Sequence, residues 1–243
     1  MAGFIRKLKR RILGSSACAV IVAAGSTTRM EGEDKIFAEL RDIPVLARTM
    51  LVYERCASID SIVVVTREDS LEKAAELAKQ YQITKLLAVV KGGDTRLESV
   101  QCGVTAAPKD VAVIAIHDGA RPLVTEDIIA RTVRLAEEHN AAAAAVKVTS
   151  TIKTTELGVV TDTPDREKLR EIQTPQAFEA DLIKAALQNA LDKKLAVTDD
   201  CMAVEALGAT VWLSEGSYEN IKITTRTDLL VADAILRTRR TAK

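Results

Sequence analysis

The sequence predicts a doubly wound α/β domain, with a mainly parallel sheet flanked by helices and a protruding β-arm. Three observations carry this. Short apolar, β-branched runs alternate with longer segments of helical period, the order expected of a chain that crosses repeatedly over one sheet. The runs are almost continuously apolar, which fits strands covered on both faces. The chain is 47% hydrophobic but only 3% aromatic. Its core must therefore rest on Ala, Val, Ile and Leu, which suit helices packed closely on a buried sheet.

In order, Ala17 to Val22 reads as a first strand, Ile62 to Thr66 as a second and Leu86 to Val90 as a third. Val111 to Ile116 is a fourth, and Ala141 to Val148 a fifth despite its alanines. Helical patterns lie between them at Val45 to Ala57, Glu68 to Gln80, Leu97 to Ala106 and Glu126 to His139. Thr125 before Glu126 and Asp127 is a capped helix start. The rhythm breaks after Val148: residues 150–173 are polar, β-rich and punctuated by Gly158 and Pro164. They read as an arm leaving the domain. Helices at Ala180 to Leu191 and Thr198 to Leu207 follow, the latter ended by Gly208. Strands near Thr210 to Leu213 and Asn220 to Thr224 and a helix from Asp228 to about Arg237 complete the chain. Residues 15–243 thus form one domain with an arm.

Residues 1–14 stand apart, with Arg6, Lys7, Lys9, Arg10 and Arg11 and no acid. Phe4, Ile5, Leu8, Ile12 and Leu13 recur at roughly helical spacing, as in a membrane-surface helix, but a basic tail without a docking role is the simpler reading. No apolar stretch long enough for a secretory signal or a membrane span follows. Lys plus Arg equal Asp plus Glu at 34 each, which argues against a general nucleic-acid binder. Cys18, Cys56, Cys102 and Cys201 stand far apart in apolar surroundings, a usage that predicts a reducing, cytoplasmic compartment.

Ligands of open parallel sheets bind beyond the carboxyl ends of the strands. After the first strand comes Ala23-Ala24-Gly25, followed by Arg29 and Lys35. Small residues let backbone N–H groups approach an anion, and two cations on one loop could neutralise charge developing at a phosphate. The loop lacks G-x-x-x-x-G-K-S/T and G-x-G-x-x-G, which disfavours a γ-phosphate kinase or a dinucleotide dehydrogenase. After the third strand, Gly92-Gly93-Asp94 with Ser99 offers close backbone approach and hydrogen-bonding groups for a base or ribose. After the fourth come His117, Asp118 and Arg121. Asp118 is placed to hold Mg²⁺, directly or through water. Arg121 could grip a phosphate. His117 reads as a structural residue.

Five motifs in order, A-A-G-x-x-x-R-M, G-G-D-x-R-x-x-S, H-D-G-A-R-P, T-P-Q-x-F and N-I-K-I-T, span Ala23 to Thr224. Together they resemble the 2-C-methyl-D-erythritol 4-phosphate cytidylyltransferases, relatives of the ribitol-5-phosphate cytidylyltransferases. The resemblance implies a Rossmann-like nucleotidyltransferase fold and Mg²⁺-dependent transfer from CTP. It implies that Arg29 and Lys35 stabilise the transition state at the α-phosphorus. Arg166 and Lys222 would orient the attacking phosphate. Ala23, Ala24, Gly25, Gly93, Asp94 and Ser99 match CTP-binding positions, and Asp118, Arg121, Thr151 and Thr174 match positions lining the sugar-phosphate pocket. The resemblance further implies a homodimer in which the arm, with Thr151 and Arg166, serves the partner's site.

Departures accompany it: the loop from Arg29 to Lys35 is a residue shorter than in some members, and Thr198-Asp199-Asp200 replaces a Thr-Asp-Glu sequence. Asp34 precedes Lys35 where Pro is common, and Ser150-Thr151 stands where Asp-Thr is usual. Ribitol 5-phosphate is the alternative acceptor, and the Ala-Ala-Gly form of the first loop leans away from it. A glycosyltransferase would want a second acid after Asp118, and a mere nucleotide sensor would not need a transition-state clamp.

Overall fold

The computed structural model describes residues 16–25 and 34–241, so the basic stretch 1–14 and Arg29 lie outside the described residues. In chain order come β1 (Ala17–Val22), the hairpin strands β2 (Glu39–Leu40) and β3 (Ile43–Pro44), α1 (Val45–Arg55), β4 (Ser61–Thr66), α2 (Leu71–Gln80), β5 (Leu86–Lys91) and α3 (Arg96–Ala106). Then follow β6 (Val113–Asp118), α4 (Glu126–His139), β7 (Ala141–Lys147), β8 (Thr154–Glu156), β9 (Val159–Asp162) and β10 (Arg170–Glu179). The last are α5 (Ala180–Asp192), α6 (Asp200–Glu205), β11 (Trp212–Glu215) and α7 (Arg226–Thr241).

Strand alternation builds the layers. Ala19 and Ile21 of β1, Val64 of β4 and Ala115 of β6 join an apolar cluster with Leu46 and Met50 of α1, Leu77 of α2 and Val133 of α4. The alternate residues Cys18, Val20, Val63 and Ile116 meet Val100 and Val104 of α3, Ile183 and Leu187 of α5 and Val204 of α6. Full burial of each Val, Leu or Ile stabilises by about 1.5–3 kcal/mol, so two dry layers fix the strand ends. A smaller cluster of Leu40, Val45, Leu123, Ile223 and Ala232 docks α7 at one end.

The seven-stranded sheet has the order β11-β7-β10-β6-β1-β4-β5. Neighbouring pairs are parallel except around β10, which runs antiparallel to both β6 and β7. The chain goes from β1 outward to β4 and β5, then crosses to β6 on the other side of β1. That reversal is the switch point at which such sheets bind ligands.

Several expected boundaries shift. The fourth strand begins at Val113 and runs on to Asp118, because pairing with β1 continues to Val22 opposite Asp118. Residues 220–224 form no strand. Their backbone bonds to scattered partners and not to a neighbouring strand: Ile223 N–H donates to the Ala120 carbonyl at 2.8 Å, and the buried Asn220 side-chain amide donates to the Thr174 carbonyl at 2.9 Å. β10 was not expected, because Gln173, Pro175 and Gln176 interrupt its apolar pattern. Gln176 is nonetheless satisfied inside: its Oε1 accepts from the N–H groups of Asp200 at 2.9 Å and Cys201 at 3.2 Å. Residues 170–173, expected in the arm, thus belong to the sheet, and β8 and β9 form a hairpin outside it. The expected helix at 198–207 shortens to α6, capped by Asp199 accepting from Met202 N–H at 2.9 Å. The last helix starts earlier than Asp228, whose Oδ2 accepts the Thr224 and Thr225 N–H groups at 2.8 Å each.

Candidate active site

A cavity of roughly 300 Å³ opens at the carboxyl ends of β1, β4, β5 and β6. Backbone bonds continue the parallel pairing past the strands and hold its walls together. Ala23 N–H donates to the Val65 carbonyl at 2.7 Å, Gly92 N–H to Thr66 at 2.8 Å and Gly119 N–H to Val22 at 2.8 Å. Ala23, Ala24 and Gly25 form one wall, and Gly93, Asp94 and Ser99 another. The second wall is set by the start of α3. Thr95 Oγ1 accepts Glu98 N–H at 3.1 Å, while Glu98 Oε2 accepts Thr95 N–H at 2.9 Å, a reciprocal cap. Gly92 has no room for a side chain, since a Cβ there would lie 2.6 Å from Ser99 Oγ and 2.7 Å from the Ala24 Cβ.

Lys35 reaches the cavity from a turn that Asp34 organises. Asp34 Oδ1 accepts Ile36 N–H at 3.1 Å, and its carbonyl accepts Phe37 and Ala38 N–H at 2.9 Å each. The second carboxylate oxygen pairs with Arg67 Nη2 at 2.5 Å, so the acid that replaces the common proline points to a guanidinium.

Asp118 closes β6 and is surrounded by cations. Its Oδ2 lies 2.9 Å from Lys222 Nζ and 3.5 Å from Arg121 Nε, and its Oδ1 lies 3.9 Å from Arg96 Nε. Burial would raise this carboxyl, but Lys222, Arg96 and Arg121 outweigh it and hold it down at about 2. Arg121 also donates to the Asn220 carbonyl at 2.7 Å, tying the Lys222 segment to the loop after β6. Arg96 forks onto Asp200 with bonds of 2.8 and 2.7 Å. Burial alone would lower the Arg96 guanidinium, but Asp200, Asp118 and Asp199 reverse that and raise it.

His117 is fully buried, and that burial holds its imidazole at about 4, hence neutral. Its Nε2 lies 3.2 Å from the Arg121 carbonyl, which can only accept, so the proton sits there and Nδ1 accepts from Thr174 Oγ1 at 2.9 Å. Thr174 Oγ1 in turn accepts Asp118 N–H at 3.1 Å. This chain orients Asp118 from behind.

The structure therefore brings together Lys35, Lys222, Asp118 and the expected CTP-binding positions on one cavity. Arg121 and Thr174 stand behind it as buried supports. Arg166 and Thr151 are elsewhere: Arg166 is exposed near the arm's base, its Nη1 donating to the Thr149 carbonyl at 3.3 Å, and Thr151 is exposed in the arm. Arg67 and Arg96 also line the cavity, although neither was given a role from sequence. Arg67 is the first residue after β4, so the strand-end rule points to it as readily as to Asp118. Arg96 sits inside the G-G-D-x-R motif.

A mainly parallel sheet whose switch point holds a cationic cavity with one clamped carboxylate points to the nucleotidyltransferase class. A family model for 2-C-methyl-D-erythritol 4-phosphate cytidylyltransferase matches residues 17–238. The chain belongs to that family. It is 43% identical over 226 residues to the 2-C-methyl-D-erythritol 4-phosphate cytidylyltransferase of Dehalococcoides mccartyi, covering 93% of this chain and 98% of the relative. The corresponding protein of Halalkalibacterium halodurans is 45% identical over 218 residues, 89% of this chain and 95% of its own. Among solved structures, 4-diphosphocytidyl-2C-methyl-D-erythritol synthase from Anaerococcus prevotii superposes with a TM-score of 0.84 at 31% identity, covering 93% of this chain and 98% of that one.

Proposed function

We propose that this cavity performs the family reaction by direct attack. CTP and 2-C-methyl-D-erythritol 4-phosphate give 4-diphosphocytidyl-2-C-methyl-D-erythritol and pyrophosphate. A phosphate oxygen of the acceptor forms a bond to the CTP α-phosphorus as the bond to the β-phosphate oxygen breaks. The observation that carries this reading is the Lys222–Asp118 pair on the same cavity as Lys35. A phosphate monoester is already anionic at neutral pH, so the residues need only position it and stabilise charge. Lys35 and Arg29 stabilise the charge that develops on the α-phosphate and the leaving pyrophosphate. Lys222 orients the acceptor phosphate. Ala23 to Gly25, Gly93, Asp94 and Ser99 hold the nucleotide.

The donor set is compatible with Mg²⁺ arriving with CTP. Among the described residues no group of three or more His, Cys, Asp and Glu side chains could hold a metal alone. Mg²⁺ in nucleotide sites often takes one or two carboxylates, substrate phosphates and water. Asp118 would meet it through water, since Lys222 and Arg121 already face its Oδ2 and Arg96 its Oδ1, and the ion would neutralise phosphate charge.

The arm supports a homodimer. Leu157, Val159 and Val160 are exposed apolar residues on a hairpin with no core of its own. Thr151 and Arg166 do not line the cavity of their own chain, as befits residues that serve a partner's site. We place the enzyme in the cytoplasm on the strength of its four free cysteines. No helix among the described residues is long and apolar enough to cross a membrane.

Pyrophosphate release from CTP with Mg²⁺ and methylerythritol phosphate tests the reaction. Release with ribitol 5-phosphate alone would overturn the choice of acceptor. Mixing inactive Lys35→Ala and Arg166→Ala proteins tests the shared site. Exchange of subunits restores about a quarter of the wild-type activity if arms cross between protomers, and none if each arm serves its own.

A further inference from the structure

We infer that Arg67 is a positioning residue that clips the base of the first loop through Asp34 and thereby aims Lys35. Gly25 and Asp34 flank the two ends of the segment that follows β1. The Arg67 guanidinium reaches both: Nη2 pairs with Asp34 Oδ2 at 2.5 Å, and Nη1 lies 3.5 Å from the Gly25 carbonyl. From behind, the guanidinium is held by Asp69 Oδ1 at 3.2 Å and Ser70 Oγ at 3.2 Å, and Ser70 itself donates to Asp69 at 2.7 Å. A planar fork with several fixed donors can serve all four acceptors, which a lysine cannot do. Asp34 transmits the clip, because the same carboxylate and its carbonyl fix the turn that carries Lys35.

Charge gives the clip a second effect. Where proline would be neutral, Asp34 puts an anion next to a lysine facing phosphate. Paired with Arg67, that anion is occupied. Released, it competes with the nucleotide for Lys35. The pairing is strong enough to raise the Arg67 guanidinium above its ordinary value, chiefly through the Asp34 hydrogen bond.

The inference rests on the reading of the cavity as the CTP site, and wild-type pyrophosphate release tests that reading separately. The experiment compares Arg67→Gln, Asp34→Asn and the double variant by kcat and by KM for CTP. Arg67→Gln is expected to lower kcat about tenfold with a smaller change in KM. Asp34→Asn lowers kcat less, because it opens the clip without leaving a free charge. The double variant recovers to the Asp34→Asn level. Losses that multiply in the double variant would overturn the inference. So would an Arg67→Gln defect lying mainly in KM with Asp34→Asn neutral, which would make Arg67 a direct phosphate contact. If Arg67→Gln does not fold, Asp34→Asn alone decides: an unchanged kcat overturns the inference.

Discussion

Lys222 Nζ lies 2.9 Å from Asp118 Oδ2, joining the segment after β11 to the end of β6. The contact sits where the sheet reverses its winding, so the ammonium is held on the proposed CTP cavity before any ligand arrives. Pre-positioned charge of this kind needs no reorganisation during the reaction. Lys222→Met should therefore lower kcat about 100-fold, as loss of one such donor does elsewhere. Steady-state pyrophosphate release at saturating CTP measures it, and a wild-type kcat would remove Lys222 from the chemistry.

Lys35 makes a different demand. If it acts on charge that grows only as pyrophosphate leaves, Lys35→Ala cuts turnover far more than CTP affinity, and Arg29→Ala does the same. Turnover and a CTP binding isotherm, measured on the same preparations, separate the effects. Equal losses in both would make these cations simple binding groups.

Arg96 and Asp200 form a stability device under the site. The Asp200 side chain is 1% exposed and takes both arms of the Arg96 fork. Arg96→Met strands a buried carboxylate, and breaking such a pair costs about 3–5 kcal/mol. Urea unfolding should register that loss, with Arg96→Met/Asp200→Leu recovering much of it. A variant as stable as wild type would mean that Asp200 is protonated in the native protein.

His117 makes stability depend on pH in one direction. Its native value of about 4 lies below the 6.5 of an unfolded histidine. Between those values the unfolded chain binds a proton that the folded chain refuses, so stability falls as the medium is acidified. At pH 5 the loss relative to pH 7 is about 2 kcal/mol from this group. Denaturant melts of the nucleotide-free protein should show it, and His117→Gln should flatten that part of the profile.

Much of the fold was legible because its signals are local. β1 and β4 are apolar enough to announce burial on both faces, and α4 carries its own cap in Thr125. β10 was hidden because its stability is not local. Gln173 and Gln176 look solvent-facing until α6 and the segment around Ser217 supply their partners. Residues 220–224 misled in the opposite sense: alternating Ile and polar residues suggest a strand, but no neighbour is there to pair with them. In the site, strand-end inspection found Asp118 and motif order found Lys222, which by composition alone is an ordinary surface lysine. Arg67 directly follows β4 but lies outside every motif, and its pairing with Asp34, 33 residues away, cannot be read from local sequence.

β10 runs against the other six strands of its sheet, so the chain leaves that sheet after Lys147 and rejoins it at Arg170, directly opposite. Exit and return thus share one rim, and whatever is strung between them can change length without altering the register of any parallel strand. Residues 148–169 are a cassette that the sheet does not need for its register, although the proposed reaction needs Thr151 and Arg166 within it. Hairpins of other sizes, or a reporter peptide, can be grafted there while the neighbouring strands keep their places.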